Sequence, residues 1–384
     1  MENRLGKTGI ITTPDFLTMN SEIYQSAIFP GRYLQGPGAI SVLPEWIGKL
    51  GTKAMIVGGH TSIREIIPGL RSQGGAGFMV ESFGGECTMR EINRISAIAK
   101  AGGCDVIVAI GGGKAIDTVK AVANELKAKT IIVPTIASND APCSAISVIY
   151  TEEGSFDHVL HLQQNPNLVL LDSEIIAKAP VRLLIAGMGD ALSTWFEADA
   201  CYTSSSPNEA GGHCTLSALN LAKLCYDTIL KYGLEASESC RANKVTPALE
   251  KVIEANTLMS GLGFESAGLA SAHSIHNGLT QLTGTHSYYH GEKVAFGVLA
   301  GLFLANRPAS LVEEVYAFCA SVGLPVTLAQ IGVINPSSED LQKVATAACA
   351  PEESIWHEPS RISPARIVEC IKMADERGKV YLDT

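Results

Sequence analysis

The chain of 384 residues is 46% hydrophobic and 18% charged, more apolar material than one compact core ordinarily takes up and far from the composition of a disordered polymer. Its 39 acidic against 29 basic residues leave a net charge of −10, which argues against nucleic acid or an anionic membrane as the main partner. Ten cysteines, at 87, 104, 143, 201, 214, 225, 240, 319, 349 and 370, include no C-x2-C pair and are expected to be reduced, mostly buried thiols of a cytoplasmic protein.

Residues 1–26, opening MENRLGKTGIITTPDF, lack the unbroken apolar stretch of a secretory signal and read as a tail. From 27 to 180, short β-rich runs alternate with helical patterns. AMIVGG (54–59) precedes the helix-like TSIREIIPGLRSQGG. GFMVESF (77–83) precedes TMREINRISAIAKAGG, where Thr88 is expected as N-cap and Glu91 as its capping-box partner. DVIVAI (105–110) leads into GGGKAIDTVKAVANEL, TIIVPT (130–135) follows, and AISVIY (145–150) and NLVLLD (167–172) are the later strands. Continuous apolar strands between helices imply a parallel sheet covered on both faces, a Rossmann-like α/β domain. Beyond Ala179-Pro180 the pattern is helical nearly to the end, so 181–384 is expected to be all-α, with a cleft between the two parts. VAFGVLAGLFLA (294–305) is too short to span a bilayer and fits a buried helix.

Three places carry chemistry. Gly111, Gly112, Gly113 and Lys114 follow a strand and open a helix, where free N–H groups and the helix dipole favour an anion. The motif is neither G-x-G-x-x-G nor a Walker A sequence, and a plain tight turn is the alternative. The next loop bunches Thr135, Ser138, Asn139 and Asp140 beyond the end of a strand, either for a polar ligand or as an Asx-type turn. Finally, four of the nine histidines fall between 273 and 290. His273 and His276 share one side of a helix and His290 stands near a helix start. Asp190 sits between apolar turns of VRLLIAGMGDALSTWFEADA, where an unpaired acid is costly. Asp190, His273 and His290 together would suit Zn²⁺ or Fe²⁺, although single histidines and an interdomain Asp also have purely structural uses.

The stretches FGGEC, GGGKAIDTVKA, PTIASNDAPCSAISVIYTEEG, GMGDALSTWFEA, TPALEKVIEAN, GFESAGLASAHSIHNGL and YYHGEKVAFG resemble the iron-containing alcohol dehydrogenase superfamily, in its glycerol-oxidising branch. The resemblance runs from about FPGRYLQGPGAI to MADERGKVYL. It implies the dehydroquinate synthase-like fold, an α/β dinucleotide-binding domain followed by an all-helical metal- and substrate-binding domain. It implies NAD- and metal-dependent oxidation of glycerol and related vicinal diols to dihydroxyacetone, in a cytoplasmic homo-oligomer.

By the same resemblance the metal ligands are Asp190, His273 and His290, and the metal is zinc rather than iron. Nucleotide contacts fall on Gly112, Gly113, Lys114, Ala115, Ile116 and Asp117, and on Thr135, Ser138, Ser144, Ile146 and Tyr150. Asp140 is the catalytic and glycerol-contacting acid, His276 lines the substrate site, and His286 is a loop residue. Where iron-dependent members carry a fourth ligand histidine this chain has Thr194, which leaves room for a substrate to chelate through two hydroxyls. Where an acid commonly grips the adenosine ribose this chain has Gly59, which keeps NADP open beside NAD. The alternative functions are an NADP-linked enzyme or a dehydrogenase of a 2-hydroxy acid or another polyol.

Overall fold

The computed structural model describes residues 24–72 and 77–382, so most of the expected tail lies outside the described residues. The first half supplies β1 (Tyr33–Gly36), α1 (Leu43–Leu50), β2 (Ala54–Gly58), α2 (His60–Glu65), α3 (Ile67–Ser72), β3 (Met79–Ser82) and α4 (Met89–Gly102). It continues through β4 (Val106–Gly111), α5 (Gly113–Leu126), β5 (Lys129–Pro134), β6 (Ile146–Tyr150), β7 (Phe156–His161) and β8 (Leu168–Asp172). Six of these strands form one parallel sheet in the order β1-β8-β5-β4-β2-β3. β2, β4 and β8 are buried along their whole length, as unbroken apolar runs require when both faces are covered.

The expectations fail at four points, each for a physical reason. AISVIY does form a strand, but β6 pairs antiparallel with β7 outside the main sheet, and its burial alternates with a period of two. β1 (YLQG) and β7 (FDHVLH) carry no apolar run that would mark them as strands. The helix-like 61–75 is broken into α2 and α3, because Pro68 cannot continue a helical hydrogen-bond ladder and is tolerated only in a first turn; residues 73–75 lie outside the described ones. The Thr88 hydroxyl caps α4 by accepting from the Glu91 N–H at 3.2 Å, but the Glu91 carboxylate accepts from Gly84 N–H at 2.8 Å. The Thr88 N–H donates instead to the Glu86 carbonyl, so only half of the capping box forms.

The second half is helical: α6 (Ser173–Ala177), α7 (Val181–Ser204), α8 (Leu216–Arg241), α9 (Pro247–Glu254), a π-helical turn at Ala255–Met259, α10 (Ser260–Ala267) and α11 (Ser271–Leu279). α12 (His290–Leu304), α13 (Ala309–Val322), α14 (Ser338–Ala348) and α15 (Pro364–Lys379) complete it. α7 is the axle, packed against α8, α10, α11 and α12. The apolar core is continuous from sheet residues such as Ile107 and Val169 to Leu192 of α7 and Phe296 of α12. None of the described helices is long and apolar enough to cross a membrane, and 294–304 is buried core, as its composition requires.

Chain connectivity blurs the line between the halves. Tyr24 and Ser26 pair with His213, the Ile28 N–H donates to Ser266 Oγ at 3.1 Å, and Gln35 of β1 donates to the Glu250 carbonyl at 2.8 Å. At the α7–α12 crossing, glycine sets the spacing. A Cβ on Gly291 would overlap the Ala186 carbonyl oxygen, and one on Gly189 would overlap the Gly291 carbonyl oxygen. Arg182, in the first turn of α7, pairs at 2.6 Å with Glu292, whose carboxylate also accepts from the Tyr289 N–H at 2.8 Å. Both devices hold the start of α12 against the middle of α7.

Candidate active site

That crossing brings His290, the first residue of α12, to Asp190 of α7, and α11 adds His273 from the other side. One donor atom from each lies within 4.8 Å of the others. His290 Nε2 and His273 Nε2 stand 3.1 and 3.5 Å from Asp190 Oδ1, but neither approach has hydrogen-bond geometry. Both Asp190 oxygens are therefore buried without a hydrogen-bond partner, a costly state that a cation among the three donors would relieve. The electrostatics agree. Burial works to raise the Asp190 carboxyl, yet the His290 and His273 imidazoles outweigh it and hold the group well below the ordinary range. Burial works to lower His273, yet Glu197 and Asp190 hold its imidazole well above its ordinary value.

Each imidazole is held from behind. Glu197, almost fully buried, accepts from His273 Nδ1 at 2.6 Å, from the His273 N–H at 3.0 Å and from the Ala270 N–H at 2.9 Å. A cation that displaces the Nε2 proton would leave the other proton on Nδ1, held by Glu197, and take up the Nε2 lone pair. His290 turns its Nδ1 to His276 Nε2 at 3.1 Å, and His276 Nδ1 lies 3.0 Å from Asn277 Oδ1. Both ring nitrogens of His276 are thus engaged, and burial together with the nearby His290 and Lys293 keeps it well below its ordinary pKa, hence neutral. His276, expected at the substrate, adjoins His290 with its two ring nitrogens turned to His290 and Asn277. His286 lies in a short 3₁₀ connection and faces the Thr280 carbonyl at 3.0 Å, away from this cluster.

Asp140 reaches the same cavity from the loop after β5. Its Oδ2 accepts from Ser260 Oγ at 2.8 Å, and because that hydroxyl has a single proton, Thr194 Oγ1 donates to Ser260 at 2.9 Å. Thr194, one turn after Asp190, therefore directs its hydroxyl to Ser260 and, through it, to the acid. Burial and the neighbouring Asp190 push the Asp140 carboxyl well up, opposed by His273 and Ser260. The loop itself is fixed by Asn256 of the π-helical turn, which donates to the Ala137 and Leu184 carbonyls at 3.0 Å each.

The glycine loop lies at the carboxyl ends of the strands, beside the 135–140 loop. Gly112 precedes α5 with no side chain to cap its first N–H groups, and a Cβ on Gly113 would come within 2.8 Å of Asn139 Nδ2. Close apposition of the two loops needs glycine there, and the uncapped helix start suits a pyrophosphate. Lys114 is exposed and paired with Glu86 at 2.5 Å, over the Tyr150 ring. Thr135 and Ser138 are half-buried on the crevice wall.

Other expected nucleotide contacts point inward. The Ala115 and Ile116 side chains are core. Asp117 is buried, paired with Lys120 at 3.0 Å and accepting from the Val148 N–H at 3.2 Å, so its carboxylate is not presented to a nucleotide. The buried Lys120 ammonium also donates to the Ala141 carbonyl at 2.9 Å, to Ser144 Oγ at 3.3 Å and to the Ile146 carbonyl, which turns Ser144 and Ile146 into anchors of the loop. On the far side Glu265 accepts from the Ala145 N–H at 2.6 Å and from Asn165 at 2.5 Å, and burial pushes its carboxyl up to about 7.

Glu197, Ser260, Lys120 and Glu265 join the expected residues around the site. Glu197 alone had a readable signal, lying two turns after Asp190 on the same helix.

A family model for iron-containing alcohol dehydrogenases matches residues 30–173. The chain is 52% identical over 364 residues to a glycerol dehydrogenase of Thermotoga maritima, covering 92% of this chain and 98% of that relative. It is 48% identical over 356 residues to a glycerol dehydrogenase of Escherichia coli, covering 92% and 97%. Among solved structures, the glycerol dehydrogenase of Schizosaccharomyces pombe has a TM-score of 0.90 at 38% identity, covering 94% of this chain and 92% of that one.

Proposed function

Because the chain belongs to the iron-containing alcohol dehydrogenase family, we propose that it is a glycerol dehydrogenase, oxidising glycerol to dihydroxyacetone with NAD at a metal ion held by Asp190, His273 and His290. The observation that carries this reading is the buried Asp190 carboxylate, unpartnered at both oxygens and faced by two imidazole nitrogens. Two nitrogens and one oxygen with open positions are the donor set of catalytic zinc, which is the ion proposed over iron. Such an ion polarises a substrate hydroxyl as a Lewis acid and makes its proton easier to lose.

The chain's own residues do the rest. Ser260 occupies Asp140 Oδ2, which leaves Oδ1 to hydrogen-bond a glycerol hydroxyl and makes Asp140 the catalytic residue that orients the diol. Asn256 and Lys120 hold the loop on which Asp140 rides, from its two ends. Gly112, Gly113 and the first turn of α5 take the pyrophosphate of NAD, and Lys114 exchanges Glu86 for a phosphate oxygen as the nucleotide enters. Thr135, Ser138 and Tyr150 line the path to the reacting carbon. Holding nicotinamide and diol in contact is the larger part of the protein's contribution.

One observation favours a second nucleotide. Gly59 leaves the end of β2 without a carboxylate, so NADP is the alternative to measure beside NAD. Ten free thiols, eight of them buried, support a reducing, cytoplasmic setting, and self-association into a homo-oligomer is expected from the family.

The test is substitution of Asp190 or His273 by alanine. Each variant should lose bound metal and glycerol-dependent NADH formation while keeping its circular dichroism spectrum. Wild-type turnover in both would end the metal assignment.

A further inference from the structure

His273 is backed by a buried carboxylate, whereas His290 is backed by another imidazole, which by itself fixes nothing. A neutral imidazole offers one N–H and one lone pair, and either nitrogen can carry the proton. For His290 Nε2 to face the Asp190 carboxylate with a lone pair, the proton must sit on Nδ1 and be donated to His276 Nε2, 3.1 Å away. That makes His276 Nε2 the acceptor and puts the His276 proton on Nδ1, which donates to Asn277 Oδ1 at 3.0 Å. Asn277 must then turn its amide nitrogen the other way. It does so towards Glu353, donating to both carboxylate oxygens at 3.1 and 3.0 Å.

An ionised carboxylate only accepts, so the direction of the whole chain is decided at its outer end. Glu353 is itself anchored: it enters the 3₁₀ turn Ser354–His357, and Ser354 Oγ donates to the Ala270 carbonyl at 2.8 Å and lies 3.1 Å from Ser274 Oγ. Asn277 is exposed and Glu353 half-buried, so neither belongs to the core.

We propose that Glu353 and Asn277 are positioning residues for the metal ligand His290, setting its tautomer through His276. With Glu353 replaced by an apolar residue, Asn277 is free to present its amide nitrogen to His276. His276 Nδ1 then accepts, its Nε2 carries the proton and donates to His290 Nδ1, and His290 Nε2 is left protonated against the cation. The arrangement acts on the ligand and not on the substrate, so its failure is read in metal affinity rather than in turnover alone. The inference rests on the metal site proposed above.

The experiment is zinc affinity of the full-length protein by competition with a chromogenic chelator, repeated as the visible spectrum of the cobalt-loaded protein. The variants are Asn277→Leu, Glu353→Leu and Glu353→Gln, with Asp190→Ala beside them. Asn277→Leu and Glu353→Leu should weaken zinc binding by about 10- to 100-fold and alter the cobalt spectrum. Glu353→Gln, whose carbonyl still accepts from Asn277, should stay near wild type. Unfolding temperature of the metal-free protein and NADH binding should not move in any of the three, whereas a merely structural role would lower the unfolding temperature. If both leucine variants bind zinc like wild type while Asp190→Ala does not, the positioning role is overturned and the metal site stands. If Asp190→Ala also binds like wild type, the metal site is overturned, and the positioning role with it.

Discussion

Gly291→Ala probes the packing that creates the site. The added methyl group would overlap the Ala186 carbonyl oxygen and stand 3.0 Å from the Asp190 N–H nitrogen, both rigid backbone of α7. Relief requires α12 to retreat from α7 by about 1 Å, with an overpacking cost of about 1–3 kcal/mol. His290 is the neighbouring residue and moves with the helix. A ligand-to-metal distance tolerates only about 0.2 Å, so a retreat of this size should remove His290 from the coordination sphere. The assays are thermal unfolding of the metal-free variant and zinc competition on the same preparation. Gly48→Ala is the control, since a methyl group there meets nothing within 4 Å inside α1 and should stabilise by about 0.5–1 kcal/mol. A Gly291→Ala protein with wild-type unfolding temperature and wild-type zinc affinity would refute the claim that helix spacing places the ligand.

Three further outcomes are expected. Glu197→Gln presents an amide where three donors now converge, and should weaken zinc binding by about 10- to 100-fold without unfolding the protein; unchanged affinity in a chelator titration refutes it. Ser260→Ala frees Asp140 to rotate and should raise the KM for glycerol by about tenfold with zinc affinity unchanged, so an unaltered KM counts against the Asp140 assignment. Burial pushes Glu265 from 4.5 up to about 7, so the folded protein holds this proton more tightly than the unfolded chain. Its stabilising contribution is complete below 4.5 and is lost as pH rises through about 7, about 3 kcal/mol in all. Glu265→Gln should therefore flatten the stability profile over that interval, and denaturation curves that stay parallel to wild type from pH 5 to 8 would exclude the effect.

The legibility of the molecule in its sequence follows from how local each signal is. β2, β4 and β8 are unbroken apolar runs because both their faces are covered, and such runs are visible without any partner. β6 has the same look, yet it joins a hairpin, since its pairing depends on the hydrophilic β7 that no local pattern marks. Pro68 was on view, and the break between α2 and α3 is its direct consequence. The spacing of His273 and His276 placed both on one side of α11 but could not say which of them would face Asp190. That depends on α12 delivering His290 between them, with its Nε2 towards Asp190 and its Nδ1 towards His276. Asp117 shows the converse: its position at a helix start invited a nucleotide role, while Lys120, one turn on, draws it inward. Glu353 is distant in sequence from everything it orients and left no local mark.

The central claim is that Asp190, His273 and His290 hold the ion on which glycerol oxidation depends. It is tested most directly by stripping the protein with a chelator and titrating zinc back while following NADH formation from glycerol and NAD. The account predicts no turnover in the stripped protein and a rise in rate proportional to added zinc, ending at one ion per chain. Full turnover by metal-free protein would contradict it.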